Sequence, residues 1–541
     1  MDGAQQIIGN HITGLTKIVL VKAGIAFVTT QHNDNSRTGA NLNEVILNIS
    51  NVNPKRFGKL FTRKVDGQIY AQPLYISSVN VPSKGNRNVV YVATMHNTVY
   101  AFDADDPNDS KPLWSKNLGP SIPLPDPNIG PKNYGDIKVE VGIVSTPVIS
   151  LEKDIIYVVS ANKDPNLSDG SAYSHWLHAL DIVTGDEKLG GPVKISASYP
   201  GDGDGSANGV INFVSHQQLQ RSALLLSNSR IYMAFASYGD ATPAHGWVMA
   251  YDANTLKQLN VFNTTPENVP NRPWFAKPGM GTIWQGGQGL AADDSGNIYF
   301  STGNGDFNGF SNPLPKDLGD CIIKLTPDIK LADWFSPHNN MELNVLDLDL
   351  GSGGVLLIPG SNLLVGGGKE AKLYLIDRAN MGHFNSDNDG QIPQSFCVSL
   401  INNQLRGGPV YWKGPNGALV YVSPERDRLK SYRLVEGIFK PTKPISQSGV
   451  VIGSSGGWLS VSSDGKTPGT GIIWLSEGIE PSGILHAFDA MKLEKELWNS
   501  KMNPSRDDLG VAAKFCPPTV ANGKVYVATF SGYLAVYGLL S

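Results

Sequence analysis

One pattern recurs along the chain and limits what it can fold into. A strand of the type hydrophobic-Tyr-hydrophobic meets a short turn, then a strand ending Ala-hydrophobic-Asp, then often a tryptophan. Val89-Val-Tyr-Val-Ala-Thr94, Thr98-Val-Tyr-Ala-Phe-Asp103 and Trp114 make the first copy. The second has Ile155-Ile-Tyr-Val-Val-Ser160 and His178-Ala-Leu-Asp181; the third has Arg230-Ile-Tyr-Met-Ala234 and Val248-Met-Ala-Tyr-Asp252. The fourth has Ile298-Tyr-Phe-Ser301, Ile322-Ile-Lys-Leu325 and Trp334. Leu363-Leu-Val365 with Leu373-Tyr-Leu-Ile-Asp377 is the fifth, and Leu419-Val-Tyr-Val422 with Lys430-Ser-Tyr-Arg433 the sixth. Gly471-Ile-Ile-Trp474, Leu485-His-Ala-Phe-Asp489 and Trp498 form the seventh, and Val525-Tyr-Val-Ala-Thr529 with Leu534-Ala-Val-Tyr537 the eighth.

A single such unit cannot bury both of its faces, so the copies must stack. Repeats of three strands plus an outer strand, with no helices between them, predict an all-β fold: an eight-bladed propeller of four-stranded antiparallel blades, whose edges are protected by radial closure. The eighth copy lacks an outer strand, and Lys59-Leu-Phe-Thr-Arg63 is expected to supply it and close the ring. The Asp that ends the third strand in copies one, two, three, five and seven is read as a turn former, bonding backbone N–H groups just ahead of it. The Trp is read as a wedge between blades.

Residues 1–30 read as an N-terminal lead-in, in which Lys17 to Thr29 is either a weak signal segment or a β-strand. Residues 31–541 read as a single propeller with long loops at 118–138, 161–175, 196–220 and 264–281. Loops of that length in a compact repeat fold are usually functional or disordered. These are expected to gather as a lid around the axial mouth, with Trp247, Trp274 and Phe275 offering stacking surface there.

Only 17% of the residues are charged and the net charge is −4. No basic run marks a nucleic-acid partner, and no apolar run reaches the ~20 residues of a membrane span. Cys321, Cys397 and Cys516 lie far apart and form neither a CxxC nor a haem-attachment motif. They are read as three buried free thiols, although spacing does not exclude a disulfide.

The repeat Ala-hydrophobic-Asp-x-x-Thr-Gly…Trp resembles that of the quinoprotein alcohol dehydrogenases, eight-bladed propellers that hold pyrroloquinoline quinone (PQQ) and calcium near the axis. The resemblance runs from about His32 to the end of the chain. Gly281-Thr-Ile-Trp284 and Ser301-Thr-Gly-Asn304 are similar to the segments whose Trp stacks on the quinone and whose Asn binds calcium. Trp334-Phe-Ser-Pro-His338 through Leu346-Asp-Leu-Asp349 is similar to the segment bearing the catalytic Asp, with Asp347 the better match and Asp349 the second. Lys369, opening Lys369-Glu-Ala-Lys-Leu-Tyr-Leu-Ile-Asp-Arg378, matches the basic residue that touches the quinone oxygens.

The resemblance therefore implies Asp347 and Lys369 as catalytic, Trp284, Asn304 and Lys369 as cofactor-binding, and Asn304, Asp347 and a displaced Asp169 as metal ligands. The family's adjacent Cys pair is absent, its following Arg has no counterpart in Val139-Glu-Val-Gly142, and its blade-two Glu falls near Asp169-Gly-Ser171. The expected function is a quinoprotein-like propeller that binds a small ligand or partner in its axial pocket without a complete PQQ site. The alternative is a PQQ- and calcium-dependent oxidoreductase that oxidises an alcohol or sugar and passes electrons to a separate acceptor. The resemblance also implies a periplasmic or secreted location.

Overall fold

A computed structural model describes residues 26–540 except 271, 273–276, 311–313, 401, 455 and 479–481. Trp274, Phe275 and residues 1–25 of the lead-in lie outside the described residues.

Eight antiparallel sheets follow one another along the chain. Blade one is built on Leu74–Val81, Gly85–Ala93, Thr98–Asp103 and Trp114–Asn117, and blade two on Val148–Ser150, Ile155–Lys163, Tyr173–Asp181 and Val193–Lys194. Blades three to seven continue in the same order. In blade eight, Thr519–Ala521, Lys524–Val527 and Tyr533–Leu539 are completed by the N-terminal Phe57–Lys64. Lys59 pairs with Tyr537 and Arg63 with Leu534, so the chain's beginning closes the ring as its repeat count requires.

The first strands of consecutive blades touch from blade two through blade five and from blade six through eight back to one. Most of the core is laid down as apolar layers between neighbouring sheets. This is how the repeat buries both of its faces.

The repeat residues explain how blades lock together. Asp103 Oδ1 accepts the N–H groups of Asp105 and Asp106, Asp181 those of Val183 and Thr184, and Asp252 those of Asn254 and Thr255. The tyrosine of a second strand then donates to the carbonyl just past that Asp in the next blade. Tyr91 bonds Ile182 at 3.0 Å, Tyr157 bonds Ala253 at 2.6 Å and Tyr421 bonds Ala490 at 2.9 Å. Tyr526 of blade eight reaches Ala104 of blade one at 3.4 Å, so the pattern runs across the closure.

Trp114 fills the remaining step. Its indole donates to Ile182 of blade two at 2.9 Å. Its ring lies where a Cβ on Gly185 would sit only 2.6 Å away, and Gly185 has φ +76°. The Thr-Gly of the repeat is thus the seat for the preceding blade's tryptophan.

The segment from Thr29 to Gly39 crosses the axis and ties the blades together. The carbonyls of Thr29, Asn35, Ser36, Thr38 and Gly39 accept from Ile149, Ala292, Leu357, Tyr411 and Val461, which belong to blades two, four, five, six and seven. Arg37, fully buried, donates to Thr30 Oγ1 and to the carbonyls of Gln31, Leu224 and Leu290. Gln31 bonds the carbonyl of Gly287, one residue from the axial cavity described below.

Three expectations are corrected. Trp247 is completely buried in a strand of blade three, packed edge-on against Phe213, and offers no surface to a lid. All three cysteines are free, but Cys397 is exposed because it ends the outer strand of blade five. The 161–175 loop is shorter than expected, because its two ends belong to the strands Ile155–Lys163 and Tyr173–Asp181 and only residues 164–172 lie between them.

Candidate functional site

A cavity of about 370 Å³ lies where the blades converge. Its lining comes from two positions in the repeat. The first is the approach to a blade's first strand. Tyr70, Arg221, Arg406 and Phe515 each stand four residues before such a strand, and Trp284, Gly286, Ser352 and Lys514 lie close to the same phase. The second is the turn between a blade's second and third strands, which supplies Gly239 and Asp240 in blade three and Lys369 in blade five. Two of the long loops also contribute: Tyr134, Asp136 and Ile137 come from 118–138, and Leu219 from 196–220. Asp126 anchors the first of these, accepting from Tyr173 at 2.7 Å and pairing with Lys163 at 2.5 Å.

Four of the expected residues come together. Asn304 donates its backbone N–H to Asp349 Oδ1 at 2.8 Å and its side-chain amide to Asp347 Oδ1 at 2.9 Å. Lys369 Nζ stands between both carboxylates, 2.8 Å from Asp347 and 2.6 Å from Asp349. Trp284 lines the same cavity, and both its indole N–H and Asn304 Oδ1 are buried without a partner. The close approach has a cause in the backbone: a Cβ on Gly303 would meet Asp349 Oδ1 at 2.4 Å. Asp347 sits at φ +56° with its side chain 68% exposed, whereas that of Asp349 is only 6% exposed.

The charges on this wall act on one another. Burial opposes the charge on Lys369, but Asp349 and Asp347 outweigh it and raise its pKa, so the ammonium persists. Burial, then the negative charge of Asp349, lifts Asp240 to about 6. Asp320, fully buried behind the wall, is raised well above the carboxylate range by the same two causes.

Asp169 is not brought to this group. It caps the short 3-10 turn Gly170–Ala172, its exposed carboxylate accepts from the backbone N–H and hydroxyl of Ser171, and it does not line the cavity.

A second part of the lining is basic and aromatic. Arg221 is only 8% exposed, and its guanidinium lies 4.4 Å from the ring centre of Phe515 and 5.7 Å from that of Tyr70. Among the described residues it forms no ion pair. Burial lowers its pKa. Lys514 Nζ stands 5.7 Å from the same Phe515 ring, and its pKa falls to about 8 through burial and then the charge of Arg221. Arg406 is held by Glu425 at 2.8 Å. None of these basic residues was anticipated from sequence; their shared phase relative to the blade's first strand is the signal that marks them.

The architecture defines the class: an eight-bladed β-propeller, the fold seen in solved quinoprotein dehydrogenases. Among solved structures, the chain resembles the quinohemoprotein alcohol dehydrogenase ADHIIG from Pseudomonas putida HK5, with a TM-score of 0.58 and 14% identity over 95% of this chain and 80% of that one. It also resembles a europium-containing methanol dehydrogenase, with a TM-score of 0.56 and 15% identity over 96% of this chain and 98% of that one. No family model and no curated protein matches the sequence.

Proposed function

We propose that the protein binds a small, flat, carboxylate-bearing organic molecule in its axial cavity. Arg221 carries this reading. Keeping a cation this buried without a direct ion-pair partner is costly; Asp136 of the same cavity offsets its charge only from a distance, and a ligand anion would supply the contact. Phe515, Tyr70 and Trp284 add aromatic faces suited to a planar body, and Lys514 and Arg406 add positive charge. The acidic wall is already neutralised in part by Lys369, so an anion approaching the basic wall meets a dipolar rather than a uniformly negative cavity.

A second reading, a PQQ-dependent dehydrogenase, is favoured by Trp284 and by the orphaned Asn304 oxygen beside Asp347 and Asp349. The residues suit the quinone itself: its carboxylates to Arg221 and Lys514, its ring to Trp284. That group would accept a hydride from an alcohol or sugar and pass electrons to a separate acceptor. Calcium fits less well. Lys369 occupies the position between the two carboxylates that a cation would take, and Asp169, the expected third acid, lies outside the cavity.

Thermal unfolding with PQQ, with and without Ca²⁺, separates the readings. At about 100 times Kd a ligand stabilises by ~2.7 kcal/mol. The anion-binding reading expects a shift with PQQ alone that is lost in Arg221→Gln. A shift that requires Ca²⁺ favours the dehydrogenase, and no shift at saturating PQQ overturns both.

A further inference from the structure

The basic wall contains an amine placed for covalent chemistry. Lys514 lines the cavity and, among the described residues, has no carboxylate partner. It and Arg221 flank a single phenyl ring, Phe515, at 5.7 and 4.4 Å from its centre. Phe515 itself is held at φ +64°, with its ring against the backbone of Gly286, where a Cβ would meet it at 2.6 Å. An ammonium and a guanidinium are thus both placed around one ring and both line the same cavity.

We propose that Lys514 is a nucleophile that forms an imine with the carbonyl carbon of an oxo acid whose carboxylate is held by Arg221. This rests on the reading of the cavity as an anion site and narrows its ligand class. In the step, the neutral amine nitrogen bonds to the carbonyl carbon as the C=O π bond opens, and one N–H proton passes to the oxygen. The resulting carbinolamine breaks its C–O bond and releases that hydroxyl, with the second N–H proton, as water, leaving a C=N bond to Nζ. No oxidant or reductant is consumed.

A lysine beside a second cation and partly withdrawn from water is activated for such attack because its free amine is populated near neutral pH. The groups facing it act in both directions. Burial, Arg221, Arg406 and Lys138 favour the free amine, and Asp136 favours the ammonium. The balance leaves the ammonium titrating near 8.

The test uses the whole protein with glyoxylate as probe and sodium cyanoborohydride to reduce any imine, followed by peptide mass analysis. Lys514 is expected to be modified at least about tenfold faster than the exposed Lys55 and Lys330, with a rate that climbs as pH rises towards about 8. Arg221→Gln should remove the preference for glyoxylate while leaving Lys514 reactive towards formaldehyde, which has no carboxylate. That second probe separates loss of anion binding from loss of fold. Labelling of Lys514 no faster than of Lys330 overturns the inference. If PQQ still stabilises the protein in that case, the anion-site reading stands and only the lysine's role falls; if neither is seen, both fall.

Discussion

Arg221 shows why the basic wall is hard to read from sequence. It stands in Gln220-Arg-Ser222, which carries no motif, and only its phase before the first strand of blade three sends it to the axis. Trp284, Asn304, Asp347 and Lys369 were legible because they sit in segments similar to a known family, and the structure gathers them within hydrogen-bonding or cavity-lining range. Replacing Arg221 with Met should raise the stability of the ligand-free protein by about 1 kcal/mol or more, since a buried charge without a partner is removed. It should also abolish the PQQ shift; chemical denaturation with and without PQQ checks both.

Asp240 gives a prediction of opposite character. Its folded pKa, about 6, lies above the ordinary 3.8. Below about 4 the group is protonated in both states and contributes nothing. Between those values the folded state keeps a proton that the unfolded state has lost, so stability falls as pH rises, and the full cost is present above about 6. Asp240→Asn should therefore match the parent near pH 4 and exceed it by about 3 kcal/mol at pH 7, measured as the difference between the two pH–stability curves.

At the scale of elements, the repeat was legible because its residues have physical duties. The Asp forms the turn, the Tyr bonds the next blade, and the Trp sits on the next blade's Gly. Tyr157→Phe removes one buried hydrogen bond to Ala253 and should cost about 0.5–1.5 kcal/mol. Gly185→Ala should cost more, about 1–3 kcal/mol, because the methyl meets the Trp114 ring and φ is positive. Both follow from urea unfolding. Asp169 went astray for an element-scale reason. Ile155–Lys163 and Tyr173–Asp181 continue past the repeat motif, and Asp169 falls in the turn between them, where its carboxylate caps Gly170–Ala172 and does not line the cavity. Strand length of this kind depends on pairing between residues such as Asn162 and Ser174, which no local pattern announces.

For the whole molecule, the deficit of one outer strand in the eighth copy predicted closure by the N-terminal segment, and Phe57–Lys64 fills that place. The crossing of the axis by residues 29–39 was not foreseen, because the segment uses backbone carbonyls, which any sequence provides. Removing residues 1–64 should leave the edge of blade eight unpaired and five blades without their axial tie. The truncated chain is expected to aggregate, whereas a circular permutant joining both ends of the native chain and opened in an exposed loop should remain a monodisperse β protein by size exclusion and circular dichroism.

The ring brings acidic and basic side chains into one cavity, and whether an anion occupies it is the central question. A crystal of the protein soaked in PQQ answers it most directly. The account predicts difference density in the axial cavity, with a carboxylate on Arg221 and the ring system against Trp284. An empty cavity in crystals soaked at saturating PQQ, or density seated only elsewhere on the molecule, would contradict it.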